Sequence, residues 1–149
     1  MIRMKLEEGM YVRTTYGIGK IVNIFFEKTG TFIETDNGLG DCTMATRGKL
    51  HKGIYIFEED YKTFIDTNVK NTIIELIEKG DYVNGEKVIR IYEKGECYDG
   101  SNYGLITKTI ETENDNYETI PHNHLYVGYS IKSIVTKEQF ESMQYKVGE

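Results

Sequence analysis

An internal repeat is the feature that most constrains how this chain can fold. The segment Glu8–Val12 (EGMYV) recurs 71 residues later as Lys79–Val83 (KGDYV). Beyond a turn of variable length, Lys20–Phe25 (KIVNIF) recurs as Lys87–Tyr92 (KVIRIY). Two short β-prone runs joined by a turn are typical of a β-hairpin. The repeat therefore predicts one related hairpin in each half of the chain.

The turns inside the two copies support this interpretation. Asn84-Gly85 separates the β-prone runs of the second copy, and both residue types accept the positive φ angles of a two-residue type I′ turn. In the first copy, residues 16–19 (Tyr-Gly-Ile-Gly) supply two glycines for the same reversal. Each copy is thus predicted to form a strand, a tight turn and a second strand.

Further β-prone runs follow each predicted hairpin. They are Thr31–Thr35, Cys42–Ala45 and Ile54–Phe57 in the first half, and residues 103–110 and 125–135 in the second. Residues 70–77 are ambiguous, because four apolar residues there fit either a helical turn or a buried strand. The analogy with residues 4–8, which precede the first hairpin, favours a strand.

One helix is predicted near the C-terminal end. Thr136 and Gln139 form a capping box, in which the threonine hydroxyl and the glutamine side chain satisfy backbone N–H groups reciprocally. The helix should begin near Lys137 and end by about Gln144, and residues 145–147 are predicted to return as a strand. A mainly β protein with one short C-terminal helix is therefore expected.

We expect two related, small barrel-like halves, residues 1–66 and residues 67–149, packed together as two units or as one. The connecting residues 58–70 retain Tyr61, Phe64 and Ile65, which favours a packed connection over a loose linker. Exposed strand edges would allow a homodimer.

The charge of −6 is unevenly distributed. Residues 71–149 carry fourteen acidic and eight basic side chains, whereas residues 1–70 are neutral. A cluster of acids with tyrosines, free of Lys and Arg, is predicted to bind a basic protein partner; its alternative is a solvated loop. The predicted partner-binding residues are Glu111, Glu113, Asp115, Tyr117 and Glu118, with Asp99 and Tyr103 from a nearby loop.

Nucleic-acid binding is the alternative. A basic run in the first half could follow phosphates while a tyrosine stacks on bases. The residues for this function are Arg47, Lys49, His51 and Lys52, with Tyr16. The acidity of the whole chain disfavours a non-specific nucleic-acid binder.

Enzymatic chemistry is not expected. His122 and His124 would point the same way in a strand and could bind a metal, but a polar turn after Pro121 is the simpler interpretation. Cys42 and Cys97 stand beside acidic residues that disfavour a reactive thiolate. Nucleotide-binding motifs and zinc-protease motifs are absent from the sequence. We therefore expect no metal, no cofactor and no catalytic residues.

No run of 18 apolar residues occurs, and the first residues lack the apolar stretch of a secretory signal. We therefore expect a cytoplasmic protein without a membrane-spanning segment, in which both cysteines are reduced.

Two resemblances add to this interpretation. Residues 9–22 (Gly-x-Tyr-Val-Arg-Thr-x-Tyr-Gly-Ile-Gly-x-Ile-Val) resemble the opening hairpin of Src-homology-type small barrels, including CarD-like and KOW-type modules. That resemblance implies a five-stranded barrel whose loops bind protein or nucleic acid. It supports the alternative of a nucleic-acid- or RNA-polymerase-binding regulatory barrel.

Residues 73–92 and 131–147 look like small uncharacterised proteins carried by phages and other mobile elements of Gram-positive bacteria. The resemblance implies a mobile-element setting, in which proteins of this size often antagonise host defence. The function expected from the sequence is accordingly a non-enzymatic, acidic protein-binding inhibitor, anti-CRISPR-like, of a host nucleic-acid enzyme such as a nuclease.

Overall fold

The computed structural model describes residues 6–93, 108–114, 122–126 and 131–147. The chain divides into two compact units, Met1–Thr72 and Ile73–Glu149. Each unit is built on one antiparallel sheet, and a helix, α2, lies near the C-terminal end. The prediction of a mainly β protein with a short C-terminal helix is confirmed.

The first unit contains a six-stranded sheet with the order β4-β5-β3-β2-β1-β6. Its strands are β1 (Tyr11–Thr14), β2 (Gly17–Phe26), β3 (Gly30–Thr35), β4 (Cys42–Thr46), β5 (Lys49–Phe57) and β6 (Val69–Lys70). One face of this sheet covers the hydrophobic core. The core consists of Leu6, Met10, Val12, Ile21, Ile33, Leu39, Ile56, Ile65 and Val69.

Residues 58–70, expected as a packed connection, form regular structure. A 3₁₀ turn (Glu58–Asp60) leads into helix α1 (Tyr61–Asn68), which buries Ile65 against the core. The Asn68 side chain donates to the carbonyl of Arg13 (2.8 Å), and β6 then pairs with β1. Helix α1 and β6 therefore belong to the first unit.

The second unit contains a five-stranded sheet with the order β10-β9-β8-β7-β11. Its elements are a 3₁₀ helix (Ile73–Leu76), β7 (Tyr82–Val83), β8 (Glu86–Tyr92), β9 (Thr109–Asn114), β10 (His122–Tyr126), β11 (Ile134–Val135) and α2 (Lys137–Val147). Buried residues of this unit include Ile77, Val83, Val88 and Ile110.

The strand favoured for residues 70–77 is wrong over most of its length, because Ile73–Leu76 forms the 3₁₀ helix. The Lys108 ammonium group donates to the carbonyls of Glu75 (3.2 Å) and Ile77 (3.4 Å). These two carbonyls therefore accept from a residue distant in sequence. This contact stabilises the helical turn, which the local sequence pattern alone does not distinguish from a strand.

The capping box of α2 is confirmed. The Gln139 N–H donates to the Thr136 hydroxyl (3.2 Å), and the Thr136 N–H donates to the Gln139 side chain (2.9 Å). The helix continues to Val147, so the strand expected at residues 145–147 is wrong. No proline or glycine interrupts the sequence before Gly148, and nothing local therefore stops the helix earlier.

The predicted turns are only partly right. Asn84 (φ 52°) and Gly85 (φ 82°) form the expected two-residue turn between β7 and β8. In the first hairpin, however, Thr14 pairs with Gly17, so Thr15 and Tyr16 form the turn, whereas Gly17, Ile18 and Gly19, which were expected in it, belong to β2. Gly19 lies within β2, where a Cβ atom would come within 2.8 Å of the Thr35 side chain.

Each of the two hairpins contains the same pattern of backbone hydrogen bonds. The Gly9 N–H donates to the Ile21 carbonyl (2.8 Å), and the Gly80 N–H donates to the Val88 carbonyl (3.0 Å). Both glycines have positive φ angles, 94° and 97°. The repeated sequence therefore forms the same local structure twice.

The correspondence extends into the third strand of each unit. Register irregularities in β2 and β8 immediately precede Asn23 and Arg90, which lie opposite Glu34 and Glu111 respectively. The two carboxylates thus occupy equivalent places. That the two halves are related small barrels stays a prediction.

Candidate binding groove on the first sheet

The face of the first sheet opposite the core is rich in aromatic side chains. Successive side chains of a strand point to opposite faces, so Phe32 lies on the face opposite Ile33, which is part of the core. Phe32 pairs with Phe25 of β2 and with Tyr55 of β5. Cross-strand neighbours share a face, and these three rings therefore lie side by side.

Two glycines make room for the rings. A Cβ atom at Gly53 would come within 2.9 Å of the Phe32 ring, and one at Gly30 within 2.7 Å of the Tyr55 ring. Each ring thus lies close over the backbone of a neighbouring strand. This packing explains why Phe32 is only 1% exposed although it is on the face away from the core.

The rings and the side chains of β4 enclose an open groove with a cavity volume of about 490 Å³. Tyr55 and Phe57 meet edge to face, with ring centroids 5.2 Å apart. The groove is lined by Glu27, Thr29, Phe32, Cys42, Thr43, Met44, Tyr55 and Phe57. An apolar concavity of this size with a few polar groups is typical of a binding site.

One carboxylate, that of Glu27, belongs to the lining of this groove. Glu58 follows Phe57, and its backbone N–H donates to the carbonyl of Thr29, another lining residue (3.0 Å). Asp41 directly precedes β4, and its hydrogen bond with Tyr16 is the main cause that raises the pKa of that phenol.

Strand β4 leaves one edge of the sheet open. It is the outermost strand, and among the described residues it pairs only with β5. Because Thr46 and Lys49 close a two-residue turn, the alternation of an antiparallel ladder directs the backbone N–H and C=O groups of Thr43 and Ala45 away from β5. Such groups can pair with another extended chain.

Beside the groove, a buried histidine joins β3, β4 and β5. His51 Nδ1 lies 3.1 Å from Glu34 Oε1, and His51 Nε2 lies 2.7 Å from Thr46 Oγ1. The Asn23 amide donates to the same carboxylate (2.6 Å). This amide, followed by His51, holds the pKa of Glu34 below its usual value although burial opposes the shift.

The order hydroxyl, imidazole, carboxylate is also that of a hydrolase triad. His51 is only 5% exposed, however, and its ring packs against Phe25 with centroids 5.1 Å apart. Both ring nitrogens already have a protein partner. The geometry therefore favours a structural role, in which the network fastens the β4–β5 hairpin to β3.

Of the predicted acidic surface, the structure describes two residues, Glu111 and Glu113. Glu111 is 6% exposed; Arg90 lies 3.1 Å from its carboxylate, and the Tyr92 hydroxyl donates to it (2.7 Å), which raises the pKa of Tyr92. Glu113 is half-buried in β9, opposite Lys87. The remaining predicted residues lie outside the described part of the chain: Asp99, Tyr103, Asp115, Tyr117 and Glu118.

The predicted basic surface comprises Arg47, Lys49, His51, Lys52 and Tyr16. Arg47, Lys49 and Lys52 are exposed, whereas His51 points into the network described above. Tyr16 bonds to Asp41, the residue before β4, and Lys52 pairs with Thr43 two residues further along. The structure thus sets His51 apart from the exposed members of this surface.

Sequence reasoning did not identify the groove. Tyr55 and Phe57 occupy alternate positions of a predicted strand, which could have indicated a shared face. Phe32 and Met44 join them only through the register of β3, β5 and β4. That register depends on pairing between distant segments and is not readable from any one of them.

Among the described residues, no group of three or more His, Cys, Asp or Glu side chains is placed to hold a metal ion. His122 and His124 lie in β10, and Cys97 lies outside the described part. Helices of the described part lack the length and apolar composition that crossing a membrane requires.

Comparison of the chain with protein-family models, curated proteins and solved structures finds no significant match.

Proposed function

We propose that this protein is a non-enzymatic protein-binding module and that the groove on the first sheet, with the open edge of β4, is its binding surface. The observation that carries the proposal is an aromatic concavity directly beside β4, a strand whose outer edge has no pairing partner among the described residues. Aromatic and methionine side chains are enriched where protein interfaces bury most of their area. Phe57, 55% exposed at the end of the groove, is available for such burial.

The partner we propose is a host protein with a basic surface, and inhibition of a nucleic-acid enzyme such as a nuclease is the specific form of the function. The carboxylate of Glu27 in the lining of the groove supports this choice. The electrostatic field of negatively charged groups on one surface speeds association with a positively charged surface. The cytoplasmic, mobile-element setting is part of the same proposal and comes from the sequence resemblance.

Affinity purification from a bacterial host with active defence nucleases tests the proposal. The bait is the full chain in three forms: unchanged, Phe57→Ala and Phe26→Ala. Phe26 is a matched control, since it is an exposed phenylalanine (64%) outside the lining of the groove. A partner retained by the unchanged chain and Phe26→Ala but lost by Phe57→Ala would support the groove. Equal retention by all three, or no specific partner, would contradict the proposal.

Nucleic-acid binding remains a second candidate because Arg47, Lys49 and Lys52 are exposed near one turn. Binding through phosphates would weaken steeply with salt, by a logarithmic slope of about −0.7 to −0.9 per phosphate contact. A salt titration with single-stranded and double-stranded DNA measures this slope. If this candidate is correct, replacing Arg47 and Lys49 by uncharged residues should make the salt slope less steep, whereas Phe57→Ala should leave the slope unchanged.

A further inference from the structure

We propose that the groove receives an arginine side chain from an extended segment of the partner, which joins the first sheet as a strand beside β4. The inference rests on the proposed function and specifies the chemistry of the occupant. It combines two features that meet at the same place, the open edge of β4 and an aromatic groove with a carboxylate, Glu27, in its lining.

The composition of β4 suits strand addition. Edge strands are commonly protected by charged residues, proline or bulges. Cys42–Thr46 (CTMAT) contains no charge and no proline, and its pairing with β5 is regular over all five residues. Thr43 and Ala45, whose backbone N–H and C=O groups point away from β5, have small, exposed side chains. An incoming strand can therefore approach this edge without a steric barrier. Main-chain hydrogen bonds would supply affinity, as in other cases of strand addition.

The groove then selects the side chain. Alternate residues of an added strand would project on the face that Met44 shares with Tyr55 and Phe57, above the cavity. A guanidinium group stacks on aromatic faces and pairs with carboxylates, while its aliphatic stem covers apolar surface. Glu27 in the lining supplies the carboxylate. A purely apolar side chain would leave this charge without a partner.

A peptide titration tests the proposal on the full chain. The probe is the capped heptapeptide Thr-Val-Thr-Arg-Thr-Val-Thr, followed by two-dimensional ¹⁵N NMR. We expect saturable shifts of the Thr43 and Ala45 amides, with a dissociation constant in the millimolar range or below. Replacing the arginine by citrulline, which keeps the shape and removes the charge, should weaken binding about three- to fivefold. No shifts at millimolar peptide, or equal binding of the citrulline peptide, would overturn the proposal.

Two variants separate the contributions of the edge and of the charge. Ala45→Pro removes an outward N–H at an edge position where proline is tolerated, and it should abolish the peptide-induced shift of the Thr43 amide, whereas Ala45→Ser should retain the shifts at both positions. Glu27→Gln should weaken binding of the arginine peptide about three- to fivefold without changing that of the citrulline peptide. Glu8→Gln, an exposed change elsewhere, is its control. Thermal unfolding of each variant confirms that the fold is retained. Unchanged peptide binding in Ala45→Pro would exclude strand addition at β4.

The same variants distinguish failure of this inference from failure of the proposed function. Suppose the partner captured by the full chain is lost with Phe57→Ala but binds normally to Ala45→Pro and Glu27→Gln. The groove would then be a protein-binding site with a different occupant. If Phe57→Ala captures the partner as well as the unchanged chain does, the proposed function itself is wrong.

Discussion

At the scale of single residues, two equivalent carboxylates illustrate how polar groups are accommodated in these sheets. Glu34 and Glu111 lie at corresponding positions beside an irregularity in register. Desolvating a carboxylate is costly unless hydrogen-bond donors surround it. Asn23 donates to Glu34, and Tyr92 donates to Glu111. Different donors thus satisfy the same position in the two units.

Glu34 should make stability depend on acid pH. Its pKa is lower in the folded protein than the ordinary glutamate value of 4.5, chiefly because Asn23 donates to the carboxylate. This contribution is fully present above pH 4.5 and is lost as the pH falls through the lowered folded pKa. Between pH 5 and pH 2.5, we expect the melting temperature of Asn23→Ala to fall less than that of the unchanged protein. Calorimetric melting curves at several pH values measure the difference; parallel curves for the two proteins would contradict it.

Gly53 should be intolerant of any side chain. A Cβ atom there would contact the Ile33 carbonyl and the Phe32 ring. We expect Gly53→Ala to lower the free energy of unfolding by about 1–3 kcal/mol, as over-packing commonly does, and to displace the ring that borders the groove. Gly38→Ala is the comparison, since it has open space and a positive φ of 67° and should cost about 1 kcal/mol. Urea unfolding of both variants tests the order, and an equal or smaller cost for Gly53→Ala would refute the packing explanation.

At the scale of elements, the second hairpin is tied to α2 through one buried side chain. Asp81 is fully buried, and its carboxylate accepts from the N–H groups of Glu78 (2.7 Å) and Lys137 (2.9 Å). At the equivalent place in the first unit, the Met10 sulfur lies 3.3 Å from the Glu7 nitrogen, which donates to it. The second unit thus has an aspartate where the first has a methionine. The aspartate accepts from an N–H group at the N-terminus of α2, which would otherwise lack this acceptor.

Asp81→Ala should therefore destabilise the second unit strongly. It leaves two backbone donors without this acceptor, and we expect a loss of about 2–4 kcal/mol in the free energy of unfolding. Glu141→Ala, an exposed change in α2, should cost less than about 0.5 kcal/mol. Denaturant unfolding followed by far-ultraviolet circular dichroism measures both values. A loss below 1 kcal/mol for Asp81→Ala would show that this carboxylate does not fasten the helix.

Local sequence patterns were sufficient for the elements whose stabilising contacts are local. The capping box of Thr136 and the turn at Asn84-Gly85 contain their own hydrogen-bond partners or torsion preferences. At Ile73–Leu76 the local pattern favours a strand, but the segment forms a 3₁₀ helix whose carbonyls accept from Lys108, more than thirty residues away. The groove depends on pairing among three strands, so no single segment indicates it. Interactions between distant segments therefore account for what sequence patterns missed.

At the scale of the whole molecule, the chain consists of two compact units divided after Thr72. The first unit has its own core, which includes Ile65 of α1 and Val69 of β6. It also contains the entire lining of the proposed groove. A unit with its own core and a closed set of strand pairings is expected to fold independently.

We therefore predict that residues 1–72 fold as an isolated fragment. Urea unfolding of the fragment should be cooperative, and its amide NMR signals should match those of the same residues in the full chain. Ending the fragment at residue 60 removes α1 and β6 and should abolish folding, because Ile65 and Val69 are then lost from the core. An unfolded 1–72 fragment would contradict the independence of the first unit.

The central claim is that the aromatic groove binds a protein partner. Once the partner has been captured, calorimetric titration against the unchanged chain, Phe57→Ala and Phe26→Ala tests it most directly. The groove predicts that Phe57→Ala weakens binding by about tenfold or more, as loss of an aromatic anchor commonly does, while Phe26→Ala changes it by less than about twofold. Equal affinities for all three proteins would place the binding surface elsewhere.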